Sequence, residues 1–522
     1  MNWLLNVIAE QRATIEKLES KVEALETQVS VLETELKKAK KLPGKPKLKE
    51  SNLESKNRNK QGGGNSSGGR KGSKKQRLQV TQERVIEPPE VPSDATFNGY
   101  RDYDVQELSI EGRLIRFKLA EYIDREGKSI VGKLPDGYQG HYGPILKAFI
   151  LYQHHQCRVP QHLIHEQLCE WNIELSNAQL NRLLVEDTVG FSAEQEAVLR
   201  AGLETATYVH TDDTGARHQG QNGYCTVLGN DLFAYFRSSD SKSRRNFLQM
   251  LRHPFDDYVL NEYSRAYLEA HQFAQSHLET LTFSNQVICQ GERAWQGYLE
   301  SLKITAPQAV RLTTEAALIG SAIEHGISPE LIVLSDGAPQ FVLFVHALCW
   351  IHMERSLRRL VGETSQQAQE ISRLRYQLWA YYQALKLYRQ SPSEADKQTF
   401  SRCFDAIFTQ TFPGNDALNA VLQTFCDHKQ ELLRVLDTPD VPLHTNDAES
   451  DIREGVIRRK ISGSTRSDSG RRARDTFMGL KKTCRKLSIS FWHYLTSRLK
   501  RDHSIPFLPD IIRQKANNLA TS

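Results

Sequence analysis

Apolar residues recur every seven positions at the start of the chain. Ile8, Ile15, Val22, Val29 and Leu36 form one seam, and Leu4, Leu18, Leu25 and Leu32 form the other, with Gln11 the single polar break. β-Branched residues at a with leucine at d favour a parallel two-stranded coiled coil, so residues 1–36 are expected to pair two copies of the chain. An amphipathic helix packed on its own domain would carry the same stripe. The pattern then stops: residues 37–82, with KKAKKLPGKPKLK followed by QGGGNSSGGRKGSKKQR, have too few apolar positions to fold and read as a basic disordered linker. From 83 to 143 the short runs VQELSI, RLIRFKLAEYI and KSIVGKLP, separated by Gly and Pro, predict a small β-rich segment. Residues 144–200 turn helical. Within them Pro160–Glu170, the break Trp171-Asn172-Ile173 and a helix that Ser176 would cap have helix-turn-helix spacing, a spacing shared by helical hairpins that never touch DNA. Three strand patterns follow over 204–238, ATYVHTDDT, NGYCTVLGN and DLFAYFRSSD, punctuated by Gly220, Asn222, Gly223, Gly229 and Asn230. Helix-prone stretches near 253–328 and 361–435 bracket one more strand, LIVLSDG, and the run FVLFVHALCWIHMERSLRRL. A basic helical part extends from Glu449 to Arg501, and 501–522 reads as a tail.

Composition changes this picture in two places. The length of 522 residues asks for more than one domain, and a hydrophobic fraction of 39% fits a real core plus an unpacked polar segment. The net charge of +5 hides an asymmetry: residues 37–77 carry 15 Lys and Arg against Glu50 and Glu54, a net +13, which leaves the remainder at −8. Such a segment suits phosphate contacts through counterion release, and a merely solvated tether would have the same composition. There is no apolar run of about 18 residues and no signal peptide, so a soluble, unsecreted, cytoplasmic protein with no membrane partner is expected. The eight cysteines form no C-x-x-C pair and read as reduced thiols. His346, Cys349 and His352 recur at intervals of three, but a zinc site needs ligands from a second stretch and none is visible, so no zinc is expected.

The candidate chemistry lies in three acidic stretches. Asp212 and Asp213 close the apolar run TYVH, Asp336 closes LIVLS, and Glu449 sits in a helical pattern rich in Arg and Lys. Strand ends of α/β sheets are where sites form, and hard divalent cations take carboxylate oxygens. A two-metal carboxylate site stabilises both the attacking and the leaving oxygen of a phosphoryl transfer. Strand alternation sends Asp212 and Asp213 to opposite faces, so only one of them is expected at the metals. Arg453, Arg458, Arg459 and Lys460 follow Glu449 and suit contacts to a DNA backbone, although a solvated helix face explains each of them singly.

With these residues in view, the chain resembles a bacterial DDE transposase of the insertion sequence sixty-six family. The family's first-acid motif stands here as His210-Thr211-Asp212-Asp213-Thr214, and the second acid lies in Ser335-Asp336-Gly337. A Cys-Trp-x-His-x-x-Arg motif is matched by Cys349, Trp350, His352 and Arg355, and the third acid by Asn446, Ala448, Glu449 and Arg453. Arg459-Lys460, Ser467-Asp468, Gly470 and Thr483 fit the family's later positions. The departures are Thr445 in place of the first of two asparagines, no cysteine over 83–140 where the family usually has a zinc segment, and a longer helical stretch before Asp336.

The resemblance implies an α/β, ribonuclease-H-like catalytic domain over 201–500 with helical insertions. In front of it would stand the coiled coil, the small β segment and the helix-turn-helix-like domain of 144–200. It implies Mg²⁺, or Mn²⁺, held by Asp212, Asp336 and Glu449, with Asp212 rather than Asp213 as the first acid. Water and then a DNA 3′-hydroxyl would be the nucleophiles. Cys349, His352, Arg355 and Asn446 would support the acids, and the four basic residues would hold DNA. The partners would be double-stranded DNA (the terminal inverted repeats and the target), further copies of the chain in a homodimer or higher oligomer joined through the coiled coil, and an accessory protein of the same element, in a nucleoid-associated setting. Two other readings use the same residues: a non-catalytic dimeric DNA-binding protein, and another ribonuclease-H-fold nuclease such as a resolvase. Retention of all three acids favours the transposase.

Overall fold

The computed structural model describes residues 80–520 apart from 91, 93–94, 104, 106–107 and 187. The coiled-coil expectation for 1–36 and nearly all of the basic linker lie outside the described residues. The first described elements are two three-residue strands, β1 (Glu121–Ile123) and β2 (Ser129–Val131), paired antiparallel. The other described residues of 83–143 form no strand, and apolar side chains such as Ile86, Leu114 and Tyr122 stay exposed. The small sheet expected there reduces to this hairpin, because among the described residues no second layer covers either face of it and a two-stranded pair buries little by itself.

Four helices come next: α1 (Pro144–His155), α2 (Gln161–Glu170), α3 (Asn177–Val185) and α4 (Val189–Thr205). Ser176 starts α3 with a capping box, in which its Oγ accepts from the Gln179 N–H at 3.2 Å and the Gln179 side chain accepts from the Ser176 N–H at 2.9 Å. The turn between α2 and α3 keeps its backbone bonded through Ile173 N–H to the Leu168 carbonyl at 2.9 Å.

A mixed sheet follows. β3 (Tyr208–His218), β4 (Gln221–Gly229) and β5 (Ala234–Ser239) form an antiparallel meander. The chain then leaves the sheet through α5 (Arg244–Arg252), β6 (Asp257–Val259), α6 (Glu262–Ala270), β7 (Val287–Gln290), α7 (Glu292–Ser301) and α8 (Pro307–Glu324). The insertion near 253–328, expected to be helical, thus contains an antiparallel pair, β6 with β7. The chain returns as β8 (Ile332–Ser335), parallel to β3, and β9 (Val345–Leu348), parallel to β8. The strand order is β5-β4-β3-β8-β9.

Four helices then leave and refill one side: α9 (Trp350–Arg359), α10 (Ser365–Tyr388), α11 (Glu394–Phe408) and α12 (Asp416–Asp427). They close around Trp350, Tyr381, Phe404, Phe408 and Phe425, a core of their own. The last part comprises α13 (Asn446–Ser462), β10 (Ser464–Thr465, added to the far end of β3), α14 (Asp468–Lys486), α15 (Phe491–Lys500) and α16 (Leu508–Ala520).

The largest core joins Ile150, Leu168 and Leu180 from the first helices to Val209 and Leu228 of the sheet and to Phe477, Tyr494, Leu508 and Ile512. Residues 144–200 therefore share the core of the sheet instead of forming a module with their own. The described part of the expected tail, up to residue 520, is likewise no loose end, since α16 buries Leu508 and Ile512 against α4. An apolar stripe of so few residues was too short to announce itself.

Candidate active site

Side chains of a strand alternate between its faces, and β3 shows what that does to its two aspartates. His210 looks toward α13, its Nε2 3.7 Å from Asp451 Oδ2. Thr214 looks the same way, because a Cβ added at Gly455 of α13 would come within 3.6 Å of its methyl. Asp212 lies between them in this alternation and shares their face. Asp213 takes the opposite face, where Lys242 forms an ion pair with one oxygen and Gln340 Nε2 donates to the other at 2.9 Å.

Asp336 leaves the end of β8. Parallel pairing sets His210 against Leu334, and the same offset carried two residues further puts Asp212, inside β3 and not at its end as expected, beside Asp336, which follows the last residue of β8. The Ser-Asp-Gly sequence builds the turn. Ser335 Oγ accepts from the Gly337 N–H at 3.1 Å, and Asp336 Oδ1 accepts from the Ala338 N–H at 3.0 Å. Gly337 has φ +89°, and a Cβ there would stand 2.8 Å from Leu348 Cδ1, so a larger residue would shift the turn that aims Asp336. His346 supports this turn from below, with Nε2 2.8 Å from Ser335 Oγ and Nδ1 3.1 Å from Glu431 Oε1.

Glu449 sits in the first turn of α13, its N–H bonded to the Thr445 carbonyl at 2.8 Å. Thr445 is fixed in turn by its N–H on Cys349 Sγ at 3.3 Å. From α9, Arg355 donates to Glu449 Oε1 at 2.8 Å and to His352 Nε2 at 2.8 Å, while His352 Nε2 lies 3.7 Å from Glu449 Oε1.

His352 is the common neighbour of the three acids. Its hydrogen bond with Cys349 raises the imidazole above its ordinary value against the effect of burial, and the charge of Asp336 adds to the rise. Burial would push the Cys349 thiol up, but its hydrogen bonds with His352 and Thr445 outweigh that and leave it below the ordinary thiol range. Asp212 is perturbed by its surroundings. Burial, with the charges of Asp336 and Asp213 added, lifts its carboxyl to about 6, against the Asp213 N–H that donates to Oδ1 at 2.7 Å and the nearby His352. The three acids are thus brought to one end of the sheet but not into one tight cluster. Among the described residues no three His, Cys, Asp or Glu side chains stand close enough to hold a metal ion.

Residues 340–473 match the family described as Transposase IS66 family. Over 327 residues the chain is 41% identical to an uncharacterized protein, y4jO, of Sinorhizobium fredii (strain NBRC 101917 / NGR234), a stretch covering 61% of this chain and 100% of that one. The chain belongs to the IS66 transposase family. No solved structure matches it. The region matched to the IS66 family takes in Glu449, Asn446 and the Cys349–Arg355 stretch, while Asp212 and Asp336 precede it.

The basic residues expected to hold DNA in this IS66-family chain divide. Arg453, Arg459 and Lys460 are exposed on α13. Arg453 lines a cavity of 520 Å³ with Arg158, Lys482 and Arg485, and Arg459 donates to the Gly215 carbonyl of β3. Arg458 is buried and corrects the expectation for that position: its guanidinium donates to the His154 and His155 carbonyls at 2.9 and 2.7 Å and cannot reach a backbone outside. Asn446 is exposed at the start of α13, its N–H 3.4 Å from His444 Nδ1. The evenly spaced His346, Cys349 and His352 do not share a helix face, because the first lies on β9, the second precedes α9 and the third is on α9. Sequence reasoning missed Lys242, Gln340, Glu431 and Asp451, and only Lys242 left a local signal, as a cation directly after a strand. Among the described residues no helix is long and apolar enough to cross a membrane.

Proposed function

We propose that the chain is a transposase that binds the ends of a mobile DNA element and catalyses metal-dependent strand cleavage and strand transfer. The architecture supports a ribonuclease-H-like core: an antiparallel meander extended by two parallel strands, with Asp212 inside β3 and Asp336 just past the end of the adjacent β8. The observation that carries the reading is Asp212, a half-buried carboxyl lifted to about 6 beside Asp336. A buried carboxylate normally has its counter-charge built in. Here the shortfall of positive charge fits a cation from outside, and the all-oxygen donors Asp212, Asp336 and Glu449 suit Mg²⁺ or Mn²⁺. Bound there, the metal would stabilise the attacking and leaving oxygens of an in-line phosphoryl transfer.

The protein's own residues prepare that site. Arg355 fixes the Glu449 carboxylate, Gly337 sets the turn that presents Asp336, and the Lys242–Asp213–Gln340 tie keeps the second aspartate out of competition. The exposed side chains Asn177, Asn181 and Arg182 of α3 would read the element's ends in a DNA groove, as the second helix of a helix-turn-helix does. Residues 1–36 would join two copies so that both ends are held at once. Incubating the protein and Mg²⁺ with DNA carrying the element's terminal repeats tests the reading. Strand cleavage is expected for the wild type and a fall by orders of magnitude in Asp336→Asn and Glu449→Gln, with end binding intact. Undiminished cleavage by Asp336→Asn would overturn the assignment.

A further inference from the structure

A cavity of 380 Å³ opens on the far face of β3 from Asp212, between β5, α5 and the turn after Asp336. Its lining includes Asp213, Arg237, Lys242, Asn246, Gln340 and Arg471. Much of this polar lining is already engaged. Arg237 donates to the Gln249 carbonyl at 2.9 Å, Arg471 to Asp240 at 2.9 Å and Asp468 at 3.0 Å, and Asn246 to the Ser241 carbonyl at 2.9 Å. Lys242 differs. Its ammonium carries three donors, Asp213 takes one side of it, and the Tyr224 ring lies 5.2 Å away on another. With 44% of its side chain exposed, it still presents charge to the opening. Gln340, on the turn that follows Asp336, donates to the same Asp213, so Lys242 and that turn share one anchor on β3. α5 also opens here with its N-terminal end, which favours an anion.

We propose that this cavity is a subsite for a phosphodiester of the DNA strand leading away from the acids, with Lys242 as the group that contacts it. The inference rests on the transposase reading for its ligand, and it assigns a second point of contact on the opposite side of β3 from Arg453. Three cations against Asp213 and Asp240 leave the lining positive. An anion without a base-specific pattern is what such a lining selects.

Binding measured without chemistry tests it. The full-length chain in EDTA is titrated into a fluorescein-labelled oligonucleotide of arbitrary sequence, single-stranded and duplex, at several salt concentrations. Lys242→Ala is expected to weaken binding by about fivefold or more and to lower the slope of log affinity against log salt by about one. Lys242→Arg should restore both, and Lys303→Ala, which removes an exposed lysine elsewhere, should change neither. Unchanged affinity and slope in Lys242→Ala, or an equal loss in Lys303→Ala, would overturn the subsite, as would a wild type that binds neither oligonucleotide. A wild type that binds in EDTA yet fails to cleave in Mg²⁺ would remove the catalytic reading and leave the subsite standing.

Discussion

Helix α13 and strand β3 place carboxylates in two opposite settings. Asp451 and Glu454 are buried and surrounded by cations. Lys482 and Lys486 reach Asp451 at 3.2 and 3.0 Å, and Lys481 and Arg158 reach Glu454, each at 2.7 Å. Burial alone would raise both acids, yet these partners, with His210 for Asp451, bring both down to about 2. On β3, Asp212 is half-buried, and burial first, then the charges of its neighbours Asp336 and Asp213, raise its carboxyl to about 6. The interior carboxylates have their counter-charges within the fold, whereas among the described residues no Lys or Arg pairs with Asp212 and only His352 offsets its charge. That contrast separates groups that hold the helix in place from a group kept ready for a ligand.

Breaking the interior side should have the largest effect. Glu454→Ala leaves Arg458, Lys481 and Arg158 without their shared partner, and losing one member of a buried ion network costs about 3–5 kcal/mol. Urea unfolding monitored by circular dichroism should show it as a lower midpoint. A midpoint close to that of the wild type would mean that the network is not what holds α13.

Acid should weaken the same interface before it reaches those carboxylates. Burial first, and then the charge of Arg458, lower His154 to about 4, and burial with surrounding cations holds its neighbour His155 well below its ordinary value. An unfolded histidine takes up a proton near pH 6.5, but the folded His154 does not until about 4. The unfolded state therefore binds more protons in that window, and stability present above pH 6.5 is lost as pH falls toward 4, by roughly 3 kcal/mol for this one group. The carboxylates of Asp451 and Glu454 add their loss only lower, as pH falls toward about 2. Unfolding midpoints measured from pH 7 down to about 4.5 should decline steadily, and His154→Gln should flatten the decline. A flat wild-type profile would contradict the burial of this pair as a neutral unit.

On the ligand side the expected stability change is smaller and has the opposite sign. Asp212→Asn removes a poorly compensated charge, so without divalent ions the thermal midpoint should hold or rise by the equivalent of about 1 kcal/mol. A fall comparable to that of Glu454→Ala would place Asp212 among the structural carboxylates. Smallest of all, Arg453→Ala should leave folding unchanged and lower the salt slope of DNA binding by about one. An unchanged slope would assign Arg453 to a solvated face.

How much of this was legible depends on the distance over which each signal acts. The separation of Asp212 from Asp213 follows from strand alternation, and the turn at Asp336 from Ser335 and Gly337, so local chemistry sufficed there. Arg458 was misread for a related reason. Asp451, Glu454 and Arg458 form a stripe at helical spacing facing α14 and α1, and a stripe made of charges does not look like a buried face. The ties that define the site's surroundings join residues far apart in the chain, such as Glu431 to His346 and Gln340 to Asp213, and nothing periodic announces them. Short elements failed in both directions: three-residue β6 hid in a helix-prone stretch, while apolar runs over 83–143 suggested strands that lack a layer to pack on.

The central claim is that Asp212, with no Lys or Arg paired to it among the described residues, takes its counter-charge from a divalent cation. Titrating Mn²⁺ into the full-length protein near neutral pH, and following the free-ion signal by electron paramagnetic resonance, tests it without reference to cleavage. Binding is expected in the wild type, weakened by more than about tenfold in Asp212→Asn and nearly unchanged in Asp213→Asn, whose carboxylate is occupied by Lys242 and Gln340. Equal Mn²⁺ affinity in the wild type and Asp212→Asn, or loss of binding in Asp213→Asn alone, would contradict the account.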